Sequence, residues 1–156
     1  MLTRNLLVAT PGYITDVGLL GLRFGVGAVF IAHGYGDVFG AGITANIGNY
    51  RDAGIPLAAI SAPFTALVQL IGGALMVLGA LTRVWAACLA FVMAGALVFV
   101  HWGEPLVLGE DGSGSGFAFI MAVASVALLL AGPGRFSVDA MIGGLVRTWR
   151  AERLQV

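Results

Sequence analysis

Four stretches of the chain are almost wholly apolar, and each is long enough to cross a membrane as a helix. They are residues 17–39, 56–81, 84–102 and 115–132. About 20 helical residues span the roughly 30 Å of hydrocarbon in a bilayer. Lipid offers no partner to a free backbone amide, so closed helices are expected. The pattern predicts an all-α fold, an integral membrane four-helix bundle in which residues 1–156 form a single membrane domain.

A fifth segment, residues 137–152, is amphipathic and is predicted to form an interfacial C-terminal helix. Ser137 is a preferred helix N-cap, and Asp139 in the first turn favours the positive end of that helix. The apolar positions share one helical stripe, which contains Val138, Met141, Ile142, Leu145 and Trp149. Arg147 and Arg150 point elsewhere, so the helix is expected to lie flat on an anionic membrane surface.

Residues 43–50 lie between the first two predicted spans and carry apolar positions at helical spacing. Ile43, Ile47 and Tyr50 recur before Gly54, a residue that commonly ends helices. The segment is therefore either a short interfacial helix stopped by a glycine cap or an ordinary loop.

The positions of the arginines predict the orientation. With a cytoplasmic N-terminus, six of the eight arginines fall on one side of the membrane and only Arg51 falls on the other. The six are Arg4, Arg83, Arg135, Arg147, Arg150 and Arg153. The loop after the third span is acidic, with Glu104, Glu110 and Asp111. The chain is therefore predicted to be multi-pass, with both termini cytoplasmic.

The composition agrees with a protein whose main solvent is lipid. Hydrophobic residues make up 59% of the chain and charged residues 10%, against roughly half and a quarter in soluble domains. The formal net charge is zero, which gives no support to a nucleic-acid partner. Cys88 is the only cysteine, so an intrachain disulfide and a dithiol relay are excluded. Small residues at Gly21, Gly25, Ala90 and Ala94 predict close helix packing.

Two histidines end the first and third spans, and the topology brings both to one end of the bundle. Asp37 follows His33 by four residues, and Glu104 follows His101 by three, near enough to share a helix face. Imidazole binds metals and haem iron, hydrogen-bonds a quinone carbonyl and moves protons near neutral pH. These four residues are therefore catalytic candidates, and the two histidines are metal candidates. The alternative is that each histidine is simply held by its own acid.

Two polar side chains lie inside predicted spans, where they are costly and therefore candidates for function. Arg23 can pair with Asp16 on its own helix face, reach toward the membrane surface, or contact an acidic lipid or cofactor. Gln69 lies near mid-depth, and its amide is expected to hydrogen-bond another helix. Both are candidate cofactor-binding residues.

These features together resemble the DoxX family of small bacterial membrane proteins. The resemblance covers nearly the whole chain and rests on short groups of residues in a fixed order. They are 22–24, 33–34, 54–56, 69–73, 79–83, His101 and 132–139. One departure is Gln69, where many relatives carry glutamate, so proton transfer through that position is in doubt.

The resemblance implies a multi-pass protein of the bacterial cytoplasmic membrane that is linked to quinone redox chemistry. The leading interpretation is an accessory or cofactor-assisting subunit of a quinone-linked respiratory or redox-defence complex. Its partners would be lipid, other membrane subunits or further copies of itself. The alternative is a small thiosulfate:quinone type oxidoreductase that uses His33 and His101. Quinone is the favoured cofactor over haem or a metal, and whether the chain is an enzyme is left open. A transporter or channel has little support, because no span is broken and no ring of polar residues occurs.

Overall fold

Four apolar helical rods alternate in direction along the chain in the computed structural model, which describes residues 12–107, 109 and 114–153. The side chains of 147–153 are not described. The predictions for Arg4, Glu110, Asp111 and the side chains of Arg147, Trp149, Arg150 and Arg153 therefore lie outside the described residues. The described residues contain helices and turns and no β-strand. The predicted all-α membrane fold is confirmed.

Seven α-helices and two π-helical turns make up these rods and their connections. The first rod is α1 (Gly12–Tyr35), continued by a π-helical turn (Gly36–Gly40). The second is α3 (Ala58–Leu67), a π-helical turn (Val68–Gly72) and α4 (Gly73–Leu78). The third and fourth are α5 (Thr82–Phe99) and α6 (Gly116–Ala131). Outside the rods are α2 (Ile43–Asp52) and α7 (Val138–Arg153).

Three rods are long and apolar enough to cross a membrane, namely Gly12–Gly40, Ala58–Leu78 and Thr82–Phe99. The fourth, α6, is equally apolar but has only 16 residues. It is about 24 Å long at 1.5 Å per residue. The chain is thus a membrane protein with three full-length candidate spans and one shorter apolar helix.

The two ends of the bundle differ in construction. One end, here called the turn end, carries residues 79–81 between α4 and α5 together with residues 132–137 between α6 and α7. The other, here called the α2 end, carries α2 and the connection from α5 to α6. Two glycine caps explain the sharp changes of direction. Gly54 (φ +70°) ends α2 and Gly79 (φ +68°) ends α4, each with backbone hydrogen bonds that close the last helical turn.

The core is apolar and lies where α1, α4, α5 and α6 meet. Its largest fully buried members are Phe30, Met76, Leu89 and Leu128. The α1 face that enters the core contains Arg23, Val26, Gly27, Phe30 and Gly34, at the three- and four-residue spacing of a helix stripe. Gly21 and Gly25 lie off that stripe.

Glycine allows α1 and α4 to touch backbone to backbone. A Cβ atom on Gly27 would lie 2.6 Å from the carbonyl oxygen of Gly73, and one on Gly73 would lie 2.8 Å from that of Gly27. No atom lies within 4 Å of a Cβ built on Gly21 or Gly25, and Ala94 is exposed. The prediction that Gly21 and Gly25 make close contacts is therefore wrong within the described residues. The GxxxG spacing identified small residues but not the face that meets a neighbour.

We expect Gly27→Leu to destabilise the bundle by about 1–3 kcal/mol, because a side chain there must push α4 away. Gly25→Leu is the matched control, two residues along the same helix and without an atom within 4 Å of its new Cβ. Unfolding of both variants in mild detergent by added denaturing detergent measures the difference. Equal stabilities would contradict the close α1–α4 crossing.

Candidate functional site

Arg23 is completely buried at the turn end and is held by backbone carbonyl groups. Its side chain donates a hydrogen bond from Nη2 to the carbonyl oxygen of Phe136, and Nη1 lies 3.5 Å from that of Val77. Gly79 leaves the room for this guanidinium, since a Cβ there would collide with Arg23 and Ser137. Arg23 therefore ties α1 to the end of α4 and to the segment before α7.

Asp16 does not pair with Arg23, so the predicted pairing on the face of α1 is wrong. Asp16 instead accepts from the backbone N–H of Arg135 at 3.0 Å and lies 3.2 Å from the Arg135 Nε atom. Seven helical residues separate Asp16 from Arg23, about 10 Å along the axis. Residues 132–137 fold back over this end and supply nearer partners to both side chains.

Asp139 caps a helix other than its own. Its two carboxylate oxygens accept hydrogen bonds from the backbone N–H groups of Leu81, at 2.7 Å, and Thr82, at 2.9 Å. Its own N–H donates to the carbonyl oxygen of Gly79 at 3.0 Å. Asp139 lies in the first turn of α7 as predicted, and its carboxylate in addition satisfies the free amides at the start of α5, a role that the sequence did not indicate. Ser137 caps α7 as predicted, accepting from the Ala140 N–H at 3.1 Å.

The surroundings of Asp139 shift its pKa below the ordinary value. Partial burial alone raises the pKa, but the N–H donors of Thr82 and Leu81 and the positive charge of Arg23 outweigh it. The ionised carboxylate is therefore the form that holds α7 against the α4–α5 turn.

We expect the stability that Asp139 contributes to disappear in acid. A depressed pKa in the folded state gives a contribution that is complete above the unfolded-state value and is lost as pH falls through the folded-state value. Wild type should therefore lose stability relative to Asp139→Asn as pH falls from about 5 to about 3. Thermal unfolding across this range checks it, with Asp52→Asn, an exposed acid of α2, as the control. Parallel curves for wild type and Asp139→Asn would contradict the capping role.

The two histidines lie at the α2 end but are held differently. His101 Nδ1 lies 2.7 Å from Glu104 Oε2, and that oxygen also accepts from the Gly114 N–H at 3.0 Å. His33 Nδ1 lies 3.0 Å from the carbonyl oxygen of Val29, one turn back on its own helix. Its ring stacks on Phe117, with centroids 5.7 Å apart.

Asp37 has no contact with His33 in the described structure, although four residues separate them. A π-helical turn begins at Gly36, so the regular α-helical spacing that the prediction assumed ends before Asp37. Within the described residues, no three His, Cys, Asp or Glu side chains are grouped to hold a metal ion. A joint site of His33, His101, Asp37 and Glu104 stays a prediction.

A cavity of about 300 Å³ lies between α2, α3 and α5, toward the α2 end. We call it the Gln69 cavity. Most of its wall is apolar, and its polar groups come from α2 and the second rod: Tyr50, Ser61, Thr65 and Gln69. Pro63 inside α3 and the π-helical turn after it both interrupt regular helical hydrogen bonding and bend a helix. The cavity lies beside this bend.

Gln69 is 7% exposed, and its Oε1 atom is buried without a hydrogen-bond partner. The expected interhelical hydrogen bond is therefore wrong in the described structure. Tyr50 lies across the cavity on α2, and burial is the main reason why the pKa of its hydroxyl is raised. Sequence analysis missed Ser61 and Thr65, although their four-residue spacing to Gln69 was a readable signal.

We expect Gln69→Leu to stabilise the protein by about 1 kcal/mol, because it removes a buried amide that lacks a partner. Ser125→Ala is the control, since buried Ser125 already donates to the Met121 carbonyl oxygen at 2.8 Å and its loss should give no gain. Denaturing-detergent titration of both variants measures the effect. A loss of stability in Gln69→Leu would show that the amide has a partner within the protein.

Comparison with known proteins agrees with this architecture. The sequence model of the DoxX family matches residues 18–102, more than half of the chain. The chain belongs to the DoxX family. The matched range contains Arg23, both histidines and the lining of the Gln69 cavity. In this DoxX protein, Asp139 and α7 lie beyond the matched range.

Two curated proteins are similar over most of their length. An uncharacterized membrane protein of Mycobacterium tuberculosis is 31% identical over 138 residues, covering 76% of this chain and 77% of that protein. A Bacillus subtilis protein named "Putative oxidoreductase CatD" is 26% identical over 127 residues, covering 81% of this chain and 88% of that protein. No solved structure is significantly similar to this DoxX chain.

Proposed function

We propose that this DoxX protein is an accessory membrane subunit of a quinone-linked redox complex and that it holds a quinone ring in the Gln69 cavity. The observation that carries the proposal is the buried Oε1 atom of Gln69, which has no hydrogen-bond partner in the described residues and belongs to the lining of an apolar cavity. Small-molecule sites are typically concave and apolar with a few polar groups. A cavity of about 300 Å³ lies at the lower end of their usual size.

The lining of the cavity suits binding better than catalysis. A bound quinone supplies two-electron redox chemistry, and the residues around it have to hold the ring and exclude water. Among the described lining residues there is no carboxylate, imidazole or thiol. Tyr50 keeps its proton, since burial raises the pKa of its hydroxyl further. The chain can therefore position a ring, while electrons must come from another subunit.

The surface of the bundle suggests how lipid and partners are arranged around it. Bacterial cytoplasmic membrane is the proposed location, with both termini in the cytoplasm as the arginine bias favours. The turn end would then face the cytoplasm. On α7, Met141, Ile142 and Val146 are more than half exposed, which supports the proposal that this helix lies on the inner leaflet. Partner subunits, or further copies of the chain, would have to bind the lipid-facing sides or the α2 end.

Gly95 offers a direct test of the cavity. It lines the cavity, and no atom lies within 4 Å of a Cβ built there, so Gly95→Leu can fill the space without a clash at Cβ. We expect the full-length protein in lipid nanodiscs to bind decylubiquinone and Gly95→Leu to bind it at least about tenfold more weakly. Gly25→Leu, which makes the same change on α1, should bind like wild type.

Equal binding by Gly95→Leu and wild type, or no binding by wild type, would contradict the proposed site. The accessory role has its own test in native purification followed by mass spectrometry. Recovery of the protein without any redox partner would count against it.

A second function, an oxidoreductase that acts through the histidines, is favoured by the pairing of His101 with Glu104 at 2.7 Å. A histidine held by a carboxylate is a common arrangement for a group that moves protons. Replacement of His33 or His101 by alanine, followed by measurement of quinol formation with thiosulfate, separates the two functions. Unchanged turnover would remove the histidine enzyme, whereas loss of turnover with unchanged quinone binding would favour it.

A further inference from the structure

A line of polar groups runs along the wall of the Gln69 cavity. Ser61, Thr65 and Gln69 are spaced four residues apart on the second rod, and all three line the cavity. Ser61 is satisfied inside the chain, because its hydroxyl donates to the carbonyl oxygens of Pro56, at 3.1 Å, and Leu57, at 3.2 Å. Thr65 lies close to the Tyr50 hydroxyl, which faces the same cavity. Gln69 is the most buried of the three, and its Oε1 atom has no hydrogen-bond partner in the described residues.

The setting of Gln69 makes this unpaired amide costly. Gln69 is only 7% exposed. It belongs to the π-helical turn Val68–Gly72, near the middle of the second rod. A buried amide without a hydrogen bond costs about 1–3 kcal/mol. Interruptions of this kind in a helix are frequent at functional sites. A ligand that brings a hydrogen-bonding head group to this depth would recover the cost.

We infer that Gln69 recognises the ligand by an uncharged hydrogen bond, so that the site takes a neutral carbonyl or hydroxyl head group and exchanges no proton with it. This inference rests on the proposed cavity and adds how the ligand is recognised. An amide carries both an acceptor oxygen and N–H donors. It can donate to the carbonyl group of an oxidised ring and can accept from the hydroxyl group of the reduced ring.

The remaining lining residues are consistent with a head group attached to an apolar tail. Phe64 is 44% exposed and Phe91 is 72% exposed, and both line the cavity while also lying on the outer surface of the bundle. The cavity therefore reaches the lipid-facing side between α3 and α5. A lipid-soluble molecule can enter from the bilayer and leave its tail there, without crossing water.

The test compares three side chains at position 69, the wild-type amide, leucine and glutamate, by calorimetry on the full-length protein in nanodiscs. The probes are decylubiquinone and its chemically reduced form, titrated in two buffers of different ionisation enthalpy between about pH 6 and 8. Wild type should bind both forms within about threefold of one another, without pH dependence and without proton exchange, because an amide does not titrate. Gln69→Leu should weaken both by roughly five- to tenfold, the effect of one neutral hydrogen bond.

Gln69→Glu should make the affinity depend on pH and couple binding to proton exchange, because a carboxyl group can donate only in its protonated form. Gly95→Leu distinguishes a failure of the proposed cavity site from a failure of the role inferred for Gln69. Binding that Gly95→Leu abolishes but Gln69→Leu leaves unchanged would overturn this inference and leave the cavity in place. Proton exchange by wild type would also overturn it. Absence of binding by wild type would overturn both.

Discussion

The free amide groups at the start of α5 impose the constraint on which the turn end of the bundle depends. The change of direction between α4 and α5 is so sharp that Leu81 adopts a left-handed conformation (φ +51°) and offers no side-chain cap. In lipid or at its border, unsatisfied amides are costly. Asp139 provides the missing acceptors from 57 residues further along the chain. The loop before it carries Phe136, whose carbonyl oxygen binds Arg23.

This arrangement joins groups that are far apart in sequence. Arg23 from α1, Gly79 from the end of α4 and Asp139 from α7 all meet at the turn end. The amino-acid type at each of these three positions has a physical reason. Gly79 needs a positive φ and no Cβ, Arg23 needs to reach two carbonyl groups, and Asp139 needs two acceptor oxygens. The polar residues buried at this end therefore serve structure, although Arg23 Nε and Thr82 Oγ1 have no hydrogen-bond partner there within the described part of the chain. Gln69 Oε1 also lacks a partner among those residues, and it differs from those two atoms in belonging to the lining of a cavity.

The membrane fold was predictable from the sequence because lipid restricts a chain to few solutions. Runs of apolar residues placed the rods, and Gly54 correctly indicated the end of α2. The contacts between rods were less predictable. The spacing of Gly21 and Gly25 indicated packing but did not reveal that the buried stripe of α1 passes through Gly27. The partner of Asp139 was not predictable from helix periodicity, since it depends on how two distant turns meet.

For the candidate site, sequence identified Gln69 as costly but assigned it a partner that the structure does not contain. Periodicity assumes regular α-helices, and the two π-helical turns break that assumption where it mattered. The first turn, Gly36–Gly40, contains Asp37 and begins after His33. The second turn, Val68–Gly72, contains Gln69. His101 and Glu104 do pair, but both lie beyond the end of α5 at Phe99, so a turn joins them and not a shared helix face. Local irregularity of the backbone thus explains most of what the sequence failed to predict about the site.

The dependence of α5 on Asp139 also limits how such a chain can change in length. Residues 79–83 and 132–139 must meet in one register, because hydrogen bonds at 2.7–3.0 Å link them. An inserted residue in either segment would leave backbone amides exposed at the edge of the membrane. At the opposite end, the connection from α5 to α6 carries no comparable lock between distant segments in the described residues. Insertions in related chains should therefore occur mainly at the α2 end, where an added loop or domain leaves the hydrogen bonds that cap α5 intact.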